Sequence, residues 1–226
     1  MSAQHDTKNT AFADIAIRPA EEQELRRMSF VWHTAYKQKD EEEITPPSLA
    51  ELNRMYDEDG RQMFENAWHV KQNKFLIATV PEQRVSIKIL DKDKKTMAGI
   101  CEYNRETIHY PQYGEQTAQD VDALYIEKIY TVKTRKSPVG KALLLECVNI
   151  AKEMGVKAII ADTATPDSRD WVIDSAGFEK SIPGIRTTQP QSGRKSRLVI
   201  LHQENFDRAI DMLSSPKAKN DAPKAG

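Results

Sequence analysis

Hydrophobic and polar residues follow two different periods along the chain. Hydrophobic residues recur every three or four positions in 21–36 and in Val139–Met154, and this spacing predicts two amphipathic helices. In Lys74–Val80, 96–104 and 123–132 they form continuous or alternating runs, which predict β-strands. The chain therefore combines helices and strands within one sequence.

Shorter segments complete this pattern. Further predicted elements are strands at 14–18, 85–89, 157–163 and 197–202 and helices beginning at 48 and spanning 167–176. The polar stretch 105–120 is expected to be a loop between two strands. This order of elements predicts an α/β fold of the α+β kind, in which helices flank a mixed, mostly antiparallel sheet.

The two ends of the chain differ in composition from the rest. Residues 1–12 and 213–226 carry few hydrophobic side chains, so we expect a flexible N-terminal tail and a disordered C-terminal tail. The remaining residues, 13–212, are long enough for one domain with a hydrophobic core.

Charge and composition argue against several classes of protein. The formal net charge of −1 gives no overall attraction to nucleic acid or to anionic membranes. No hydrophobic run approaches the roughly 20 residues that span a bilayer. The first ten residues lack the hydrophobic segment of a secretory signal peptide. The two cysteines and five histidines show no metal-ligand spacing. We therefore expect a cytoplasmic protein that binds no metal, no nucleic acid and no membrane.

The segment 126–145 combines a strand, a basic loop and the start of a helix. The first N–H groups of a helix have no acceptor inside it and its dipole makes this end positive, so an anion binds there readily. Arg135, Lys136 and Lys141 add positive charge. Local chemistry leaves a second interpretation open, in which these residues only form a solvated basic surface. Neither a Walker A sequence nor a G-x-G-x-x-G sequence is present.

The loop sequence Arg135-Lys-Ser-Pro-Val-Gly140 resembles motif A of the GNAT acyltransferase superfamily, which reads Arg/Gln-x-x-Gly-x-Gly/Ala. Three other segments resemble the family in order and spacing: Ile17-Arg-Pro-Ala20, Ile126-Glu-Lys-Ile-Tyr130 and Ala176-Gly-Phe-Glu179. The resemblance covers most of residues 14–202. Each motif alone is weak, but four in the family's order are more specific.

The resemblance implies an acyl-CoA-dependent N-acyltransferase, with acetyl-CoA as co-substrate, in which a primary amine attacks the thioester directly. It implies a pantetheine arm beside Ile129, Tyr130, Thr131 and Val132. It also implies a pyrophosphate site at Arg135, Lys136, Ser137, Val139, Gly140 and Lys141. The acceptor would be a small-molecule or protein amine, and the exposed edge strands common in this fold would permit a homodimer.

Two residues of the predicted strand 123–132 are candidates for catalysis by this resemblance. Glu127 is the candidate general base, because it lies beside the expected thioester, and a positioned base raises a rate by about 10²–10⁴-fold. Tyr125 is a candidate proton donor to the leaving thiolate, with Tyr130 or a water as alternatives. The alternative for Glu127 is an ordinary cross-strand ion pair, as its neighbour Lys128 suggests.

Two positions depart from the GNAT pattern. Pro138 stands in place of the first loop glycine and has no N–H to donate to a pyrophosphate. One hydrogen bond to a charged group contributes about 1.5–3 kcal/mol. Ile173 occupies the position of the family's frequent proton-donating tyrosine. These departures support an alternative hypothesis: a catalytically degenerate GNAT-fold protein that serves as an acyl-CoA-binding or protein-interaction module.

Overall fold

The computed structural model describes residues 12–37, 48–82, 89–111, 118–132, 138–163, 166–180 and 198–215. Most of the predicted strand 85–89 lies outside these residues, as do residues 1–11 of the predicted N-terminal tail and the basic loop residues 133–137. The described residues form seven strands and six α-helices.

The strands and helices have the following bounds. The strands are β1 Ala16–Pro19, β2 Lys74–Val80, β3 Thr96–Pro111, β4 Ala118–Thr131, β5 Ala158–Asp162, β6 Glu179–Lys180 and β7 Leu198–His202. The helices are α1 Leu25–Lys37, α2 Leu49–Met55, α3 Arg61–Glu65, α4 Val139–Met154, α5 Pro166–Ala176 and α6 Phe206–Ser214. One turn of π-helix, Tyr56–Gly60, joins α2 to α3, and a second, Asn66–Val70, follows α3.

One seven-stranded sheet, in the order β1-β2-β3-β4-β5-β7-β6, forms the centre of the fold. Among the described strands, β4 and β5 are parallel and all other neighbouring pairs are antiparallel. A parallel pair needs a crossover connection, and α4 lies in that connection. The prediction of a mixed, mostly antiparallel sheet flanked by helices is confirmed.

Helices α4 and α1 lie on opposite faces of this sheet. Gly99 of β3 faces α4, since a Cβ added there would lie 2.7 Å from Cγ1 of Val139. Tyr130 of β4 is paired with Ile100, the next residue of β3, and therefore points to the other face. There its ring centroid lies 6.4 Å from that of Trp32 in α1.

Helix α6 closes the core on the α4 side. Its buried residues, Phe206, Ala209 and Leu213, are three and four positions apart and so share one face of the helix. The predicted C-terminal tail, 213–226, therefore begins too early. Leu213 falls within it, but its side chain is fully buried in the core.

Strands β3 and β4 are longer than the sequence analysis predicts. The stretch 105–120, expected to be a loop, contains the ends of both strands, and their pairing continues as far as Pro111 and Ala118. Ile108 is fully buried in this part, while Arg105 and Asp122 form an exposed ion pair. The loop prediction is wrong because charged side chains on this ribbon interrupt the hydrophobic alternation.

The described residues contain no helix that is both long and hydrophobic enough to cross a bilayer. The same residues contain no group of three or more His, Cys, Asp or Glu side chains arranged to hold a metal ion. The two cysteines, Cys101 and Cys147, are buried free thiols whose Sγ atoms lie 3.4 Å apart between β3 and α4.

Candidate active site

Strands β4 and β5 pair side by side and then separate. Their parallel pairing ends at Ile126 and Ala161, whereas β4 continues to Thr131. Beyond Ile126, in the part of the chain that the structure describes, β4 pairs with β3 alone. One edge of β4 is therefore open from Glu127 onward, and an extended ligand can bind such an edge through its backbone groups.

The N-terminus of α4 lies next to this open edge. Pro138 is the N-cap residue, and no described side chain caps the helix. The first bond inside the helix runs from the N–H of Ala142 to the carbonyl of Pro138, 3.1 Å away. The N–H groups of Val139, Gly140 and Lys141 precede that bond, so they point out of the helix end toward any anion held there.

Gly99 allows α4 to lie directly on the sheet. A Cβ at this position would lie 2.7 Å from Cγ1 of Val139, 3.0 Å from Cδ1 of Leu143 and 3.2 Å from the carbonyl oxygen of Tyr130. These distances are shorter than van der Waals contact, so any side chain at position 99 would push the first turn of α4 away from β3.

Trp171 of α5 lies beside the first turn of α4. A Cβ added at Gly140 would lie 3.5 Å from the indole ring of Trp171 and 3.8 Å from Cγ2 of Thr131. Both are ordinary contact distances. Since Trp171 is only half-buried, its indole forms a wall of the opening between β4 and α5.

Glu127 is the first residue of β4 beyond its pairing with β5, and polar side chains surround its carboxylate. The Nζ atom of Lys71 lies 3.0 Å from Oε1, and that of Lys128 lies 3.6 Å from the same oxygen. Asn73 donates a hydrogen bond from Nδ2 to Oε2 over 2.8 Å. The Glu127 side chain retains 15% exposure, so it is within reach of solvent and ligand.

Glu102 of β3 is the second carboxylate of this cluster. Its Oε1 accepts a 2.6 Å hydrogen bond from Nδ2 of Asn73, and its Oε2 lies 3.3 Å from Nζ of Lys128. Asn104 donates to Oδ1 of Asn73 over 3.1 Å, which fixes the orientation of the shared amide. The Glu102 side chain is only 4% exposed.

The two carboxyl groups have pKa values shifted in opposite directions. Burial raises the pKa of Glu102, and the positive charge of Lys128 does not fully offset this. Burial also acts to raise the pKa of Glu127, but Lys128 and Lys71 outweigh it and hold that pKa below its ordinary value. A proton shared by the pair therefore resides on Glu102, and Glu127 is the group that stays ionised.

A strained turn brings Lys71 and Asn73 to this cluster. Gln72, between them, has a φ of 54°, in the left-handed region that residues other than glycine seldom adopt. Backbone hydrogen bonds fix the turn on both sides: the N–H of Lys71 donates to Asn66 over 3.1 Å, and that of Asn73 donates to Ala67 over 2.9 Å.

The tyrosines of β4 differ in their access to the opening. Tyr125 is 6% exposed and packs in a hydrophobic cluster with Ile108 and Ile160, and burial raises its pKa. Burial also raises the pKa of Tyr130, which is only half-buried and lies on the part of β4 that has separated from β5. Tyr130 is thus closer to the opening than Tyr125, the predicted proton donor.

The remaining predicted site residues divide into three groups. Arg135, Lys136 and Ser137 lie outside the described residues. Val139, Gly140 and Lys141 form the first turn of α4. Ile129, Tyr130, Thr131 and Val132 follow one another along the open part of β4 and its end. The N–H of Val132 already donates to the carbonyl of Ala98 over 2.9 Å, so that donor is engaged by the sheet.

Sequence reasoning did not find Lys71, Asn73 or Glu102. The sequence does mark Glu102, because it is a charged residue within the largely hydrophobic segment 96–104 that is predicted to be a strand. Lys71 and Asn73 gave no such signal, since their importance depends on a turn between a helix and a strand.

Ile173 lies four residues before Gly177. The carbonyl of Ile173 accepts a 2.8 Å hydrogen bond from the N–H of Gly177.

At the level of sequence, no protein-family model matches the chain, and no curated protein does. Among solved structures it is similar to an acetyltransferase from Streptococcus agalactiae 2603, with 16% identity, 84% of this chain and 99% of that chain covered, and a TM-score of 0.51. It is also similar to a mutant of KacT, with 8% identity, 86% of this chain and 98% of that chain covered, and a TM-score of 0.51. A GNAT-family acetyltransferase from Staphylococcus aureus Mu50 has 15% identity, with 83% of this chain and 98% of that chain covered, and a TM-score of 0.48. The first two similarities, at TM-scores of 0.51, show the fold alone, which this chain shares with a solved acetyltransferase and which agrees with the expected GNAT-like fold.

Proposed function

We propose that this protein is an acyl-CoA-dependent N-acyltransferase that transfers an acyl group to a primary amine, with acetyl-CoA as the acyl donor. The observation that carries the proposal is the separation of β4 from β5 after Ile126, directly beside the start of α4. An open strand edge next to a helix N-terminus suits a ligand that has an extended, amide-containing arm and a pyrophosphate.

The residues present fit both parts of such a ligand. The backbone of β4 from Ile129 to Thr131 would bind the pantetheine amides, as an added strand does. The N–H groups of Val139 and Gly140 would bind the pyrophosphate, with Lys141 adding positive charge. Acyl-CoA supplies a thioester carbonyl that an amine can attack, and the protein's own residues position the groups and move the protons.

Glu127 is the proposed general base. Its lowered pKa keeps it ionised at neutral pH, and an ionised carboxylate both attracts a primary ammonium and accepts its proton. The acceptor is accordingly proposed to be cationic, either a small-molecule amine or an amine of a protein. Tyr130 is the better placed of the two tyrosines to assist the departing thiolate.

A second candidate is supported by the same residues. A carboxylate with a lowered pKa is a weaker base, and Pro138 removes one of the four N–H groups that a helix end would offer an anion. The weaker base favours an acyl-CoA-binding module without turnover, whereas the missing N–H weakens the binding itself. Binding combined with no acyl transfer is the result that separates this candidate from the first.

The test joins a binding measurement to an activity measurement. Isothermal titration with CoA and acetyl-CoA is expected to give saturable binding, and CoA thiol release is expected to depend on an added primary amine. Lys141→Ala should weaken the binding, whereas Lys157→Ala should not, because Lys157 lies at the end of β5 away from the opening. No binding of either ligand at millimolar concentration would reject both candidates.

A further inference from the structure

Lys71 occupies the position at Glu127 that an acceptor amine would need. Its Nζ atom lies 3.0 Å from Oε1 of Glu127, a hydrogen-bond distance, and its side chain remains 35% exposed. Asn73 holds the other carboxylate oxygen over 2.8 Å. A primary ammonium from outside would therefore have to displace the ammonium that the protein already places there.

The backbone favours this placement. Lys71 precedes Gln72, the residue with a φ of 54°, and strained residues of this kind persist where the surrounding structure holds them. The N–H of Lys71 donates to Asn66 and that of Asn73 donates to Ala67. The turn thus directs a lysine and an asparagine at one carboxylate, rather than leaving the lysine free to sweep through solvent.

The expected path of acyl-CoA ends at the same place. An arm that starts from the first turn of α4 and follows β4 backward from Val132 reaches Glu127 after five residues. At about 3.3 Å per residue, this distance is about 17 Å, a length that suits an extended pantetheine arm. The thioester would then lie beside the Glu127 carboxylate and the Lys71 ammonium.

We propose that Lys71 is an internal acyl acceptor, so that the protein acylates its own lysine; this rests on the proposed acyl-CoA chemistry. Nζ first loses one proton to Glu127 and then attacks the thioester carbonyl. A C–N bond forms and the C–S bond breaks. The departing thiolate takes the second proton from Nζ, and Glu127 returns its proton to solvent. The products are an amide on Lys71 and free CoA thiol.

Acylation changes the charge at the site. The amide of an acylated Lys71 carries no positive charge, so its ion pair with Glu127 is lost. Lys128, 3.6 Å away, then remains as the cationic neighbour of that carboxylate. The modification would thus leave Glu127 with negative charge that an external ammonium can pair with.

The test is the rate of acylation at each lysine, with Lys92 as the matched control. Lys92 is 33% exposed and pairs with the carboxylate of Glu21, but it lies on the turn before β3, away from the opening. The purified protein is incubated with isotope-labelled acetyl-CoA, and its peptides are followed by mass spectrometry. We expect Lys71 to be labelled at least about tenfold faster than Lys92: both amines lie beside a carboxylate, but only that of Lys71 would lie beside the thioester of bound acetyl-CoA.

Two further measurements distinguish this reaction from chemical labelling. Acetic anhydride, which needs no enzyme, should label the two lysines at similar rates. The fraction of Lys71 labelled per unit time should not depend on protein concentration, since donor and acceptor share one chain. Glu127→Gln should slow labelling at Lys71 and leave labelling at Lys92 unchanged.

The outcomes separate this proposal from the proposed function. If acetyl-CoA binds and added amines are acylated while Lys71 is labelled no faster than Lys92, the internal acceptor is overturned and the acyltransferase stands. If acetyl-CoA does not bind, both are overturned together. Lys71→Arg keeps the positive charge but should abolish the label at this position while the protein still binds acetyl-CoA.

Discussion

Glu102 and Glu127 lie on neighbouring strands and accept hydrogen bonds from one donor, the amide nitrogen of Asn73. The two bonds are 2.6 and 2.8 Å long. Two carboxyl groups that share one donor and one lysine titrate as a pair, and the proton stays on the more buried member, Glu102. This relationship links the stability of the sheet to the protonation of the candidate base.

Removing the shared donor should therefore destabilise the protein. In Asn73→Ala, Glu102 and Glu127 each lose a hydrogen bond, and leaving a buried polar group such as that of Glu102 unsatisfied costs about 1–3 kcal/mol. Urea denaturation at pH 7 measures this loss. Asn53→Ala is the control, because Asn53 makes an exposed hydrogen bond with Arg26 and should change the free energy of unfolding by less than about 1 kcal/mol.

The candidate base should be visible in a pH profile. Because the pKa of Glu127 lies below its ordinary value, acylation activity should persist as the pH falls through the usual glutamate range and decline only below it. Glu127→Gln should reduce kcat by about 10²-fold and remove this acidic limb. Binding of acetyl-CoA should be unchanged.

Glu179→Gln, on the exposed strand β6, provides the matched control and should leave the profile intact. If Glu127→Gln retained the acidic limb and the rate of the unaltered protein, Glu127 would have no part in proton transfer. Its contacts with Lys71 and Lys128 would then be those of a cross-strand ion pair, the alternative that the sequence left open.

Two glycines near α4 should respond in opposite ways. Gly99→Ala places a methyl group 2.7 Å from Val139, and overpacking of this kind costs about 1–3 kcal/mol. Displacement of the first turn of α4 should also weaken acetyl-CoA binding. Gly140→Ala meets its neighbours at 3.5 Å or more, so its stability should be unchanged or raised by about 0.5–1 kcal/mol. Thermal unfolding and calorimetric titration check both; equal losses in the two variants would contradict the packing argument.

Pro138 should limit the affinity for an anion. It is the N-cap of α4 and lacks the N–H that any other residue would add to the helix end. Pro138→Ala restores a donor, and one charge-assisted hydrogen bond corresponds to roughly tenfold or more in affinity. Titration with CoA measures the gain. An unchanged dissociation constant would mean that this N–H does not face the pyrophosphate.

The periodic elements of this fold were predictable from the sequence, and the surroundings of the candidate site were not. The stripe of Val139–Met154 and the alternation of the central strands depend on residues close in sequence, which is why α4 and the sheet class follow from pattern alone. The paired strand segments 105–111 and 118–120 escaped detection because they carry charges on an exposed face. Their pairing depends on register across the sheet, which a single strand does not reveal.

The surroundings of Glu127 illustrate the second limit. The resemblance to the GNAT family predicts Glu127 itself. Its partners come from a turn 54 residues away in sequence for Asn73 and 56 for Lys71. A turn of this kind has no periodic signature, and Gln72 at its centre is not a residue that marks a left-handed turn. The direction of the Glu127 pKa shift follows from those partners, so it was equally beyond the sequence.

Arg18 joins three separate segments of the fold through charge. Its guanidinium binds Glu24, the residue before α1, through two hydrogen bonds of 2.8 and 2.6 Å, and it binds Asp91 over 2.9 Å. Both carboxylate side chains are fully buried. The Arg-Pro sequence of β1 that resembles a GNAT opening strand therefore has a structural role here, which is to tie β1, α1 and the turn before β3 together.

This buried ion pair should make the protein sensitive to acid. Burial acts to raise the pKa of Glu24, but Arg18 and the N–H groups of Lys92 and Glu21 lower it to about 2. A carboxyl group whose pKa is lower in the folded state stabilises that state above its unfolded pKa, and this stabilisation is lost as pH falls from about 4.5 toward 2.

Glu24→Gln should lower the free energy of unfolding at pH 7 by about 3 kcal/mol. Because glutamine does not titrate, the variant should also lose less stability than the unaltered protein between those pH values. Urea denaturation at pH 7, 4 and 3 measures both effects, with the exposed Glu204→Gln as control; parallel pH dependences for Glu24→Gln and the unaltered protein would show that the pair does not govern acid stability.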